Sequence, residues 1–363
     1  MTRSRTVLSL ATIALAVLAT APTAMAEDSV SRSFPFQPGE RLEIDTGIGH
    51  IELRHSDGNT ANVTVTIERG KLSDYLDLSF DDFAGGLRVQ GKKPSGSWTS
   101  GWFGNNTPEV KFVVEAPERL DVDFRTGGGH IRLAEVEGKI SLDTSGGHVF
   151  FADIEGTLTA TTSGGHIRGG SVTGGGSVKT SGGHINMENS GADLDAKTSG
   201  GHISIGEVDG ELDASTSGGH IKTGRVERSM TLSTSGGHVE SQGCGADADV
   251  TSSGGNIILH GMAGHVKAST SGGSMSVTLA SGNAAGADLS TGGGEIELEV
   301  PAGVGYQVDA QADGGLVEAS LPDLRVRGTI SDDRLQGTIG SGGNLLRLRT
   351  RQGDIKISVS HDM

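Results

Sequence analysis

The chain has 363 residues, 60 of them glycine, with only two tryptophans and two tyrosines, and a formal net charge of −16 at pH 7. An acidic surface of this kind makes nucleic acid and anionic lipid poor partners, and so few large side chains exclude an ordinary globular core. The one cysteine, Cys244, cannot form an internal disulfide.

At the N-terminus, Arg3 and Arg5 precede an apolar run from Val7 to Ala19 and then Ala24-Met25-Ala26. This predicts a secretory signal peptide over residues 1–26, with an A-x-A cleavage site and Glu27 as the new N-terminus. The run is too short for a comfortable membrane span, and nothing later approaches about 18 consecutive apolar residues. The mature chain is therefore expected in the periplasm or at the cell surface of a bacterium, without a transmembrane segment. Losing Arg3 and Arg5 takes its net charge to −18.

Residues 27–124 read as an N-terminal β section. Arg41–Ile44, His50–Leu53, Val63–Ile67 and Val110–Val114 alternate apolar and polar residues and are rich in β-branched side chains, the marks of half-buried strands. The stretch PSGSWTSGWFGNNTP, residues 94–108, carries Trp98, Trp102 and Phe103. Three aromatics in a glycine-serine loop are a candidate contact for a partner, an envelope protein or a glycan. The plainer reading is a lid folded onto the first coil, since an exported monomer does not usually leave three large aromatics in water.

Residues 125–286 contain nine units of 18 residues, read as continuous without insertion or deletion, in which TSGGHI recurs. Self-similarity at a short fixed period is the signature of a solenoid, whose units bury their apolar faces only by stacking on one another. The second position of the unit is threonine, or once Ser252. The seventh runs Ile131, Val149, Ile167 through to Met275, and the twelfth runs Val136, Ile154, Val172, Ser190, Val208, Val226, Cys244, Met262 and Ala280. Side chains alternate along a strand, so the sixteenth, eighteenth and second positions share one face, and that face is the interior. Cys244 then behaves as a small buried hydrophobe. The fourth and fifth positions are glycines, expected at a corner where the backbone takes positive φ.

The sixth position holds His130, His148, His166, His184, His202, His220 and His238, followed by Asn256 and Ser274. Next to an inward isoleucine, each of these histidines points outward. Successive coils lie about 4.8 Å apart, so the seven form one exposed column. Imidazoles on adjacent coils could share Zn²⁺, Ni²⁺ or Cu²⁺, but no carboxylate column accompanies them to orient the rings, so such binding would be weak and multiple. The plainer reading is a ladder of stacked neutral rings. Catalysis is not expected, because a column of one residue type on a regular surface supplies no cleft of converging groups. Serines at the third position, Ser145 to Ser271, read as corner residues and not as nucleophiles.

Residues 287–363 return to longer units with clean alternation in Glu295–Val300 and Asp354–Val359. Together with the N-terminal section they are expected to cap the open ends of the rod. No convincing amphipathic helix follows the signal.

The tracts VKFVVEAPERLDVDFRTGGGHIRL and LQGTIGSGGNLLRLRTRQGDIKISV resemble a family of adhesin-like bacterial envelope proteins, also called domain of unknown function 4097, whose members repeat S-G-[DNG]-I strand units. The resemblance covers nearly the whole mature chain. It implies an envelope or surface role and brings no catalytic residues. The chain departs from it where histidine replaces the acidic or amide residue still present at Asn256, Glu295 and Asp354. Sequence alone thus predicts an all-β, single-stranded parallel β-solenoid without enzymatic activity or required cofactor. Its role is read as a scaffold or binding module, or alternatively as a metal- or pH-responsive protein working through the histidine column.

Overall fold

A computed structural model describes residues 28–94, 108–321, 324–326 and 331–360. The signal segment 1–26 and the aromatics Trp98, Trp102 and Phe103 lie outside the described residues.

Through the repeats, each unit closes one coil and sits directly on the next. Ile131, Val149, Ile167, Ile185, Ile203, Ile221 and Val239 pair in parallel, each with its equivalent one coil on. On the opposite side of the coil Ile140, Leu158, Gly176, Leu194, Leu212, Met230, Ala248 and Val266 do the same. Among the described residues the result is one sheet of 16 strands facing another of 17. Between them lie the apolar columns of both sheets, buried almost without exception. Ile154, Val172, Ser190, Val208 and Val226, joined by single bridges, form a third inward column where the coil turns between the sheets. Cys244 continues that column and is fully buried.

The corner after the second position is held by the inward threonine. The Thr198 hydroxyl donates to the Gly183 carbonyl of the preceding coil at 2.8 Å and accepts from the Gly201 amide of its own coil at 3.2 Å. The same pair of bonds recurs at Thr144, Thr162, Thr180, Thr216 and Thr234, and Ser252 reproduces it. This work was expected of the third-position serines. Their side chains are exposed instead, and it is their carbonyls that bond the next coil, as Ser145 does with Gly164 at 2.9 Å.

The corner glycines also differ from expectation. None of the fourth- or fifth-position glycines of the repeats has a positive φ. The fifth-position glycine is required by close approach: a Cβ on Gly183 would lie 1.9 Å from the Gly165 carbonyl oxygen.

The two ends depart from a single-stranded parallel solenoid in orientation and in order. Arg41–Thr46 lies between Gly86–Lys92 and Asp121–Thr126, and His50–His55 lies between Val110–Ala116 and Ile131–Leu133. The first coil in sequence therefore stacks on the repeats, and the second lies outside it. At the far end Leu345–Thr350 and Ile355–Val359 slot between Ala287–Val300 and Tyr306–Ser320. Antiparallel strands finish both ends, as in Asp28–Pro35 with Thr60–Ile67 and Tyr306–Ala312 with Arg334–Ile339. Antiparallel strands of this kind occupy edges that a bare coil would leave unpaired. One short helix, Leu72–Tyr75, lies in the N-terminal section, where no helix was expected.

The repeat register also changes before residue 286. Val266 pairs with Ala287 and Met275 with Ile296, offsets of 21 residues, and the pairing slips so that Leu279 rather than Ala280 follows Met262 in the inward column. Buried Asn283 supports the extra residues, donating to the Met262 and Gly264 carbonyls at 2.8 Å and accepting from the Ala285 amide at 2.9 Å.

Candidate functional site

The histidine column lies where each coil enters the first sheet. There the backbone N–H of the sixth position runs toward the preceding coil and needs an acceptor. The preceding imidazole supplies it. The His148 amide donates to His130 Nδ1, His166 to His148, His184 to His166, His202 to His184, His220 to His202 and His238 to His220, every bond 2.8 Å long. Asn256 donates to His238 Nδ1 at 2.8 Å, and Ser274 in turn donates to Asn256 Oδ1 at 3.0 Å. The rings stack with centroids 4.8–4.9 Å apart and planes within 7° of parallel.

One member was missed in the sequence. His50 accepts from the His130 amide at 2.8 Å and stacks on its ring at 4.8 Å, which makes eight rungs. The signal is the tripeptide Gly49-His50-Ile51, a copy of Gly129-His130-Ile131. It lies 80 residues upstream, outside the repeat register, and only the inverted order of the first two coils brings it into line.

The rung fixes the chemistry of the ring. A neutral imidazole has one lone-pair nitrogen and one N–H. With Nδ1 accepting, the proton sits on Nε2, which faces outward. Protonation would place a second N–H against the backbone donor and open the rung. Burial, and then the neighbouring rings, hold His166 and His202 below the usual histidine range, and burial with His50 and Arg132 does the same for His130. Among the described residues a carboxylate approaches the column at its N-terminal end, with Glu109 3.6 Å from His50 Nε2.

The same device recurs with carboxylates and amides at other corners. Asp153 accepts from the Ser171 amide at 2.7 Å, Asn189 from Glu207 at 2.9 Å, Asp193 from Glu211 at 2.8 Å and Asp247 from His265 at 2.8 Å, each 18 residues on. Beside the histidines, the outward column of the first sheet runs Arg132, Phe150, Arg168, Asn186, Ser204, Lys222 and Glu240, the last two joined at 2.9 Å. The Arg132 guanidinium lies 5.5 Å from the centre of the Phe150 ring, and His148 meets that ring edge-on at 5.9 Å. Among the described residues no group of three or more His, Cys, Asp or Glu side chains is placed to hold a metal ion, and no helix is long and apolar enough to cross a membrane. The Cys244 thiol is pushed up by burial and lies 3.1 Å from the Arg228 carbonyl.

Stacked parallel coils, finished by antiparallel strands and stitched by side-chain ladders along their corners, define an all-β repeat protein of the solenoid type. The chain belongs to the Toastrack DUF4097 family, whose profile matches residues 39–242 and again 193–358. Three solved structures align with 92% of this chain. They are a candidate cell adhesion protein from Clostridium sporogenes (11% identity, TM-score 0.19, all of that chain covered), a candidate adhesin from Bacteroides fragilis (13%, 0.22, 97% covered) and a candidate lipid binding protein from Parabacteroides distasonis (14%, 0.24, 97% covered). Those scores are too low to argue from, and membership rests on the family profile. No curated protein matches the sequence.

Proposed function

We propose that this protein is an exported, non-enzymatic scaffold of the bacterial envelope that acts as a binding module. The observation that carries the reading is the repetition of single residue types in straight exposed columns along a rigid rod. Such a surface offers equivalent contacts to an extended partner, whereas catalysis needs unlike groups converging at one point. Fractionation of expressing cells should place the chain in the periplasm or on the surface. Envelope extract passed over the immobilised folded chain should leave a protein or glycan bound that the heat-unfolded chain does not retain. Cytoplasmic retention, or turnover of an envelope glycan by the purified chain, would overturn the reading.

A second reading, proton response, is favoured by the eight Nδ1 rungs, because each needs a neutral ring. The groups facing the column are the neighbouring rings themselves, with Arg132 and Glu109 at the N-terminal end. Metal capture by His130, His148, His166, His184, His202, His220 and His238 meets an obstacle in the same geometry. The Nδ1 lone pair is engaged and Nε2 carries the proton, so a Zn²⁺, Ni²⁺ or Cu²⁺ ion must displace a rung or a proton at every ring. Calorimetric titration of the three ions against the parent, and against a variant with His166, His184, His202 and His220 changed to asparagine, separates the cases. Uptake lost in the variant supports metal binding. Equal uptake, or none by either protein, leaves the proton alone.

A further inference from the structure

We infer that the strip formed by Arg132, Phe150 and Arg168, flanked by His130, His148 and His166, is a binding site for a linear acidic glycan. The inference rests on the binding-module reading and names the partner class of this face.

Its starting point is two arginines without an ion pair among the described residues of an acidic protein. Within the repeats Arg125, Arg225 and Arg228 hold carboxylates at 3.1, 2.5 and 2.8 Å, and on the other sheet Lys179, Asp195, Lys197 and Asp213 form a continuous chain of ion pairs at 2.9–3.0 Å. Arg132 and Arg168 are exposed and make no ion pair among the described residues. In the outward column the four residues Arg132, Phe150, Arg168 and Asn186 have no carboxylate among them, Lys222 further on is held by Glu240 at 2.9 Å, and the adjoining column is all histidine. Glu52, next to Arg132 across the strand, is already held by Arg54 at 2.6 Å and by Lys111. Arg132 and Arg168 thus hold positive charge outside any ion pair on a molecule of net charge −16, with Glu109 near the His50 end, and that charge selects an anionic ligand.

The spacing selects an extended one. The two guanidiniums are two coils apart, with rungs of 4.8 and 4.9 Å between them, and Phe150 occupies the coil between. A guanidinium takes a carboxylate through two parallel N–H bonds. The half-buried phenyl ring offers an apolar platform for the C–H face of a sugar. Each neutral histidine adds one outward Nε2–H donor for hydroxyl or ring oxygens. Carboxylate, apolar face and hydroxyls repeating along one axis describe a polyuronate better than a phosphate surface, which has no use for the aromatic platform.

The test is calorimetric titration of the purified chain at pH 7 with oligogalacturonate, with uncharged maltooligosaccharide, polyphosphate and phosphatidylglycerol vesicles as comparisons. Oligogalacturonate should bind, more weakly at high salt. Arg132→Gln with Arg168→Gln should weaken it at least about tenfold. Phe150→Ala should weaken it several-fold, and the two arginine-to-lysine changes should fall between, since they keep charge and lose the fork. Lys179→Gln with Lys197→Gln, on the other sheet, should leave binding unchanged. Both arginines are exposed and outside any ion pair, and the contact of Arg132 with Phe150 is itself at the surface, so their replacement should shift thermal unfolding little. No binding by the parent, undiminished binding by the double arginine variant, or equal binding of maltooligosaccharide overturns the inference. Tighter binding of polyphosphate or of the vesicles than of oligogalacturonate overturns it as well. In any of these cases retention of an envelope component by the folded rod would still stand, so the two readings fail separately.

Discussion

Adjacent glycines at one corner should respond oppositely to the same substitution. In the fourth unit, a Cβ on Gly183 would meet the Gly165 carbonyl oxygen at 1.9 Å, its carbon at 2.4 Å and the His166 amide at 2.8 Å. Real Cβ atoms essentially never come closer than 3.0 Å, so one coil must move away from the other by about 1 Å. Three bonds cross the contact: His184 N to His166 Nδ1 and Thr180 Oγ1 to Gly165 O, each 2.8 Å, and Ile167 N to His184 O at 2.9 Å. At about 1–1.5 kcal/mol net for each bond lost, Gly183→Ala costs about 3–5 kcal/mol. That is a large part of a typical total of about 5–15 kcal/mol. A Cβ on Gly182 instead finds its nearest neighbours, the Gly164 and Ser163 carbonyl oxygens, at 3.7 Å, an ordinary contact. Gly182→Ala should be neutral or stabilise by about 0.4–1 kcal/mol, because it restricts the unfolded chain.

Thermal unfolding followed by circular dichroism, with limited proteolysis mapped by mass spectrometry, distinguishes the two. Gly183→Ala should melt earlier and be cut in the fourth and neighbouring coils, while Gly182→Ala melts with the parent. Equal losses from both substitutions would refute close approach as the reason for glycine and restore a general demand for backbone freedom at the corner.

Thr198→Val keeps the side-chain shape and strips both buried corner bonds, so urea unfolding should show a loss of about 2–4 kcal/mol; a loss under about 0.5 kcal/mol would mean the threonine latch carries no weight. His166 and His202 have folded pKa values below the unfolded value of about 6.5, so the unfolded chain binds protons first and stability is present above that pH and lost as pH falls below it. Changing both to asparagine should flatten this acid loss while keeping the rungs, and an unchanged pH profile of melting temperature would remove these rings from the acid response. Val208 is fully buried in the third inward column, and Val208→Asp should cost about 3–5 kcal/mol by leaving a charge unpaired inside; protease resistance equal to the parent would contradict that placement.

The regular coils were legible because period and alternation act together. An 18-residue repeat fixes which residues stack, and the alternation around Ile167 and Leu212 fixes which face is buried. The inward threonines, the outward histidines and the buried Cys244 all follow from those two facts. What lay beyond them was a matter of what the ends and corners must satisfy. Asn283 and the slip to Leu279 break the period without breaking the apolar pattern. The inverted order of the terminal coils leaves no periodic trace, since Arg41–Thr46 pairs equally well with strands on either side of it. The corner glycines show a different limit. Positive φ and close approach both demand glycine, so composition cannot tell Gly182, which has room for a side chain, from Gly183, which has none.

The rung itself does not require histidine. Asn256 and Ser274 close the same gap in the same column, through Asn256 Oδ1 at 3.0 Å and Ser274 Oγ at 3.2 Å, and aspartates serve at the other corners. Duplication of a coil would copy whichever acceptor was present, but the acceptors differ in what they show to solvent. An amide or hydroxyl presents a small group close to the backbone. The imidazole reaches further, stacks on its neighbours and turns an N–H outward from every coil, while the bond at Nδ1 holds the ring in one orientation and one tautomer. The backbone therefore accounts for an acceptor at the sixth position, and the choice of imidazole is left to the exposed edge. That edge is ordered from His50 to His238, lies beside Arg132, Phe150 and Arg168, and loses its order when the rings take up protons. Binding along the strip and acid sensitivity of the rod are on this view two properties of one set of bonds, and replacing rings by asparagine should diminish both while leaving the coils in place.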